Sequence, residues 1–174
     1  MPSQADKDYM ELALSLAEKG RGFTSPNPMV GAVVVRDGKI AGRGWHQRAG
    51  GDHAEVAALQ EAGHNAIGAT LYVTLEPCYH HGKTPPCSEA VMKSGISRVV
   101  AAMTDPNPRV CGGGFFSLAG KNISVEVGLL EDRAMKLNEA YIKYIKTGIP
   151  FLTLKLAATL DGRIAARDGT SRWI

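Results

Sequence analysis

Apolar positions recur along this chain in two alternating rhythms. In residues 6–19, Met10, Ala13, Leu14 and Ala17 fall three or four apart, the spacing of one helix face, and Gly20 offers a left-handed stop. Val30 to Arg36 is a β-branched run. Asp37-Gly38 then gives a two-residue hairpin turn, and Ile40 to Trp45 returns as its partner strand. The pattern predicts a second helix over His53–Ala62, with Asp52 as N-cap and Gly63 as stop. A short apolar strand, Leu71–Leu75, precedes a third helix over Pro86–Lys93, capped by Thr84 and followed by Gly95. Arg98–Met103 and Ile123–Val127 read as strands. Leu129–Lys146 reads as one long helix ending at Gly148 and Pro150, and Phe151–Leu156 as strand again. This order predicts an α/β fold of three layers, α/β/α. Its mixed sheet opens with an antiparallel hairpin and continues with parallel strands separated by helices.

Composition narrows the class. The 174 residues suit one domain of ordinary size with a fragment of a second. A chain 44% hydrophobic and 21% charged is neither disordered nor fibrous. No apolar run nears the roughly 18 residues of a membrane span. Asp6, Lys7, Asp8 and Glu11 occupy the stretch where a signal peptide needs an apolar core. The expectation is a cytoplasmic protein with no membrane partner. A net charge of +3 permits an anionic small molecule, while 6% aromatic residues without a basic stripe predict no nucleic-acid partner. Three cysteines argue against a disulfide framework and leave metal binding or inert burial.

Three segments carry chemistry: His53-Ala54-Glu55, Glu76-Pro77-Cys78 and Pro86-Cys87. His53, Cys78 and Cys87 are ligand types that suit Zn²⁺. His53 and Cys87 fall in the first turns of predicted helices, where the helix dipole favours thiolate. Three protein ligands describe a catalytic zinc site, which keeps a fourth position for water, whereas a structural site closes with four. Glu55, two residues after His53, stands where a general acid/base can reach that water. Cys111 lacks a motif and is read as inert. Trp45 and Phe23 are of a type that stacks on rings, with core packing the simpler reading.

The H-A-E and P-C…C segments resemble the zinc-dependent nucleoside and nucleobase deaminases, whose signature is H-x-E…P-C-x-x-C. Here eight residues, not two, separate Cys78 from Cys87. That departure, in TLEPCYHHGKTPPC (Thr74 to Cys87), resembles the deaminase domain of the bifunctional riboflavin-biosynthesis deaminase–reductases. So do PNPMVGAVVV (Pro26 to Val35), GWHQRAGGDHAEVAAL (Gly44 to Leu59) and DPNPRVCGGG (Asp105 to Gly114). The resemblance runs from about Tyr9 to the C-terminus. It implies the cytidine-deaminase-like fold and hydrolytic deamination of 2,5-diamino-6-ribosylamino-4(3H)-pyrimidinone 5′-phosphate. The products are 5-amino-6-ribosylaminouracil 5′-phosphate and ammonia. It further implies substrate contacts from Asn27, His46, His80, Lys83, Asp105 and Asn107, with Lys83 and His80 suited to the phosphate.

Residues 151–174 resemble the opening strand and loop of the reductase half of the same family. In it, positions matching Ala157 and Trp173 contact NADPH, and the one matching Ser171 contacts substrate. The expected division is a deaminase domain over residues 1–148 and the start of a truncated reductase domain over 149–174. Two dozen residues are too few for a dinucleotide fold, so no NADPH-dependent reduction is expected of this chain. The rivals are a cytidine, deoxycytidylate or tRNA-adenosine deaminase and, in another class, a non-catalytic zinc-binding module. The long insert between the cysteines opposes the first, and Glu55 with the three-ligand count opposes the second. The sequence leaves the oligomeric state open, a homo-oligomer included.

Overall fold

The computed structural model describes residues 2–80, 85–108 and 110–171. Helix α1 (Gln4–Glu18) starts from a reciprocal cap. The Ser3 hydroxyl accepts from the Asp6 N–H at 3.1 Å, and the Asp6 carboxylate accepts from the Ser3 N–H at 2.7 Å. Met10, Ala13, Leu14 and Ala17 are all buried, as their spacing predicts. Strands β1 (Gly31–Arg36) and β2 (Lys39–Trp45) form the antiparallel hairpin, turning through Asp37 and Gly38 at positive φ.

The five strands lie in the order β2-β1-β3-β4-β5. β3 (Thr70–Val73) runs antiparallel to β1, and β4 (Arg98–Ala101) and β5 (Ser124–Val127) follow in parallel. Alternation along β1 divides the core. Ala32 and Val34 pack under α2 (Ala54–Ala62), α3 (Cys87–Lys93) and α4 (Gly113–Ala119). Val33 and Val35 pack under α1 and α5 (Glu131–Leu137), with Ile142 of α6 (Glu139–Thr147) at the margin. Met10, with no exposed surface, contributes about 1.5–3 kcal/mol by its burial. The three-layer α/β/α expectation holds.

One close approach sets the height of the site. A Cβ at Gly44 would sit 2.2 Å from the Ala54 carbonyl oxygen. Only glycine lets the first turn of α2, which carries His53 and Glu55, lie directly on β2.

Several expectations are corrected. His53, not Asp52, occupies the N-cap of α2. The helix expected over 129–146 is two, α5 and α6, broken at Asn138 because that side chain binds the backbone of Met29. Helix α4 was not foreseen, since it opens on three glycines, Gly112 to Gly114, which disfavour helix in isolation. Residues 151–156 form no strand. Leu152, Leu154 and Leu156 keep the alternation but stand exposed, with no sheet edge beside them. Phe23 is exposed and half-buried Trp45 packs beside α1; neither lines the cleft described below. Cys111 is exposed rather than buried. The expected cap Thr84 lies outside the described residues. Among those residues no helix is long and apolar enough to cross a membrane.

At the sheet end away from the cleft, Arg98 joins Asp6 at 2.8 Å and Glu126 at 2.7 Å, and the Tyr72 hydroxyl donates to Asp6 at 2.7 Å. The Arg98 guanidinium holds the Asp6 carboxyl well below the usual carboxylate range. A carboxylate with a depressed folded-state pKa adds stability that is complete above its unfolded pKa and lost as pH falls through the folded one. Asp6→Asn is therefore expected to flatten the fall in Tm between about pH 5 and pH 2. Thermal melts across that range check it, and an unchanged slope would assign acid lability elsewhere.

Candidate active site and metal centre

The chemistry gathers at one end of the sheet. The chain leaves β3 into Thr74–Cys78 and β4 into Ala102–Asn107, while β1 is entered through Pro26–Val30 and β2 is left at His46. Parallel strands place their ligands at these carboxyl ends. Helices α2 and α3 point their N-termini at the same place, because His53 caps one and Cys87 begins the other.

His53 Nδ1, Cys78 Sγ and Cys87 Sγ lie within 4.8 Å of one another. Nδ1 is 2.9 Å from the Cys87 sulfur and 3.7 Å from the Cys78 sulfur. The Cys87 N–H donates to the Cys78 sulfur at 3.3 Å. The Cys87 thiol, with the His53 ring and this N–H, holds the Cys78 thiol down to about 4, against the pull of burial. Cys78 and burial push the Cys87 thiol up in turn. Two sulfurs in contact cannot both be thiolate unless a cation joins them. One imidazole nitrogen and two sulfurs within 4.8 Å of one another would hold a zinc ion and leave room for a fourth ligand. The donor set fits zinc.

Glu55, 3% exposed, sits one residue into α2 beside this cluster. Burial pushes its carboxyl up to about 7, opposed by the nearby His53 ring. His53, Cys78 and Glu55 open onto a cleft of 440 Å³, with Cys87 buried behind them.

Asn27, His46, His80, Asp105 and Asn107 line that cleft as well. His46 Nδ1 meets the Asp52 carbonyl oxygen at 2.9 Å, so Nδ1 carries the proton and Nε2 accepts from the Asn27 amide at 3.1 Å. Burial holds the His46 ring below its usual pKa, which suits this neutral tautomer. His46 thereby orients Asn27, and its ring meets His53 edge-on at 5.4 Å. Burial raises the Asp105 carboxyl, while the Asn107 N–H opposes that rise by donating to it at 2.9 Å. Lys83 and Trp173 lie outside the described residues. Ala157 and Ser171 are exposed and do not line the cleft.

The sequence reading missed three residues here. Glu76 stood in a motif without a role, yet its buried carboxylate accepts from the backbone N–H groups of Asp105, Gly112 and Gly114. A Cβ at Gly114 would meet the Pro77 carbonyl oxygen at 2.0 Å, so the first turn of α4 touches the loop after β3 backbone to backbone. Asn138 and Tyr141 belong to α6 and its start; no local signal marks them. The carboxylate of Glu76, beside a known ligand motif and facing a glycine triplet, was the one hint available.

The family model described as the cytidine and deoxycytidylate deaminase zinc-binding region matches residues 3–103, more than half of the chain. The chain belongs to this deaminase family. It is 56% identical over 174 residues to riboflavin biosynthesis protein RibD of Aquifex aeolicus, covering 100% of this chain and 49% of that protein. It is 54% identical over 169 residues to the RibD protein of Escherichia coli, covering 97% and 46%. Among solved structures, Acinetobacter baumannii RibD superposes with a TM-score of 0.94 at 50% identity, over 98% of this chain and 48% of that one. A Thermotoga maritima structure, a diaminohydroxyphosphoribosylaminopyrimidine deaminase/5-amino-6-(5-phosphoribosylamino)uracil reductase, superposes at 0.93 with 47% identity, over 98% and 49%. The chain thus spans about half the length of the relatives it matches. The sheet and its helix layers are the deaminase fold of these structures. Zinc is the metal of the family, and the cluster of His53, Cys78 and Cys87 is positioned to hold a metal.

Proposed function

We propose that this chain hydrolyses the 2-amino group of 2,5-diamino-6-ribosylamino-4(3H)-pyrimidinone 5′-phosphate, a step of riboflavin biosynthesis carried out in the cytoplasm. The observation that carries the reading is the convergence of a three-ligand metal cluster, a buried carboxyl and five polar side chains on one cleft. The relatives' names supply the substrate class.

Zinc held by His53, Cys78 and Cys87 supplies Lewis acidity that brings the pKa of water toward about 7. Glu55 accepts a proton from the attacking water, whose oxygen bonds to the ring carbon bearing the amine. Glu55 gives that proton to the adjacent ring nitrogen, then takes a second from the hydroxyl of the tetrahedral adduct and passes it to the departing amine nitrogen as the hydroxyl becomes the carbonyl. The carbon–nitrogen bond breaks and ammonia leaves. Asn27, oriented by His46, and the pair Asp105 and Asn107 hold the ring and ribose; His80, with Lys83, takes the phosphate.

Residues 1–148 form the deaminase domain in this reading, and 149–174 open a reductase domain. NADPH, with Ala157, Ser171 and Trp173, belongs to the reduction performed by the half of the relatives that this chain does not span. The test is ammonia release by the purified chain from the pyrimidinone phosphate, cytidine, deoxycytidylate and tRNA. Release is expected from the first alone, lost on chelation and restored by zinc. Release from cytidine or deoxycytidylate in its place would overturn the substrate, and activity indifferent to chelation would overturn the metal's role.

A further inference from the structure

Helix α6 lies beyond residues 3–103, the part of the chain that the family model matches, yet it completes the cleft. Tyr141 lines the cavity, and its hydroxyl donates to Asp105 Oδ1 at 3.0 Å. The same oxygen accepts from the Asn107 N–H at 2.9 Å. Two donors converging on Oδ1 hold this cleft-lining carboxylate in one orientation.

The base of α6 is fixed with equal care. Asn138, 2% exposed, accepts from the Met29 N–H at 2.8 Å and donates to the Met29 carbonyl at 2.9 Å. Met29 follows Asn27 and Pro28 in one wall of the cleft, and Asp105 stands in another. Asn138 and Tyr141 are three apart, so they share a helix face. One turn of helix thus ties together two walls that are far apart in sequence.

We propose that Tyr141 is a positioning residue of the deaminase site. It presents Asp105 to a hydrogen-bond donor of the phosphorylated pyrimidine substrate, and Asn138 sets its place against the Pro26–Val30 wall. The inference rests on the proposed deaminase reading and adds α6 to its machinery. Tyr141 is tied to the site through Asp105, so its loss should weaken substrate holding more than the chemical step.

Tyr141→Phe keeps the ring and removes the hydroxyl. The KM for the pyrimidinone phosphate is expected to rise about tenfold, with kcat within about threefold of wild type. The Kd of the uracil product, measured by calorimetry, should rise with KM. Zinc per chain and Tm should stay as in wild type. Tyr144→Phe, on the same helix but exposed and outside the cleft, should change none of these. An unchanged KM and product Kd in Tyr141→Phe would overturn the proposal while leaving the deaminase reading intact. So would a fall in Tm with kcat and kcat/KM lowered equally, which marks a packing role. A wild-type chain that neither binds nor deaminates the pyrimidinone phosphate would overturn both.

Discussion

Glu55→Gln is expected to lower deamination by about 10²–10⁴-fold, the usual worth of a positioned acid/base, while zinc content and fold are kept. The substitution preserves shape and volume, so α2 retains its contacts with β2. It removes the one property the reaction needs, since an amide neither takes a proton from water nor returns one to the leaving amine. Stability should hold or rise, because a buried ionisable group is replaced by a neutral one. Ammonia release, metal analysis and a thermal melt on the same preparation check the three statements. Near wild-type turnover would remove Glu55 from the proton path. Loss of zinc in step with activity would move Glu55 into the metal's ligand set.

The metal cluster was legible because each ligand sits in a short motif whose neighbours define its setting. His53-Ala54-Glu55 places a metal-cluster residue and a buried carboxyl on one helix start, and Pro86-Cys87 places a thiol on another. The outer shell was less legible for a physical reason. Met29 and Asn138 bond across 109 residues of sequence, and Tyr141 and Asp105 across 36. Periodicity therefore continued the last helix through Asn138, where tertiary hydrogen bonds interrupt it. The opposite failure occurred at residues 151–156. Alternating Leu152, Leu154 and Leu156 carry a strand pattern, but strand propensity is realised only where a neighbouring edge exists to pair with. His46 shows a third case. The resemblance implies only a substrate contact for it; in the fold it lines the cleft and also steers Asn27, 19 residues away in sequence.

Glu76→Ala is the change expected to damage both stability and substrate binding. The Glu76 carboxylate accepts from Gly114 on Oε1 at 2.9 Å, and from Gly112 at 2.9 Å and Asp105 at 3.2 Å on Oε2. Alanine leaves these N–H groups without an acceptor in a buried place, at about 1–3 kcal/mol for each that water cannot refill. A net loss of about 3 kcal/mol corresponds to a Tm lower by about 6–12 °C in a chain of this size. The functional consequence follows from position. Glu76 stands two residues before Cys78 and accepts from the backbone of Asp105, so it locks the loop bearing the metal-cluster residue Cys78 to the loop bearing the cleft residue Asp105. Zinc affinity should fall and KM should rise together, a pairing that simple destabilisation at a remote site does not produce. Glu76→Gln should recover part of both effects, because its oxygen can still serve Asp105 and Gly112 while its amide faces the Gly114 N–H. Melting at the wild-type temperature with unchanged KM and zinc affinity in Glu76→Ala would show that the two loops hold their places without this carboxylate.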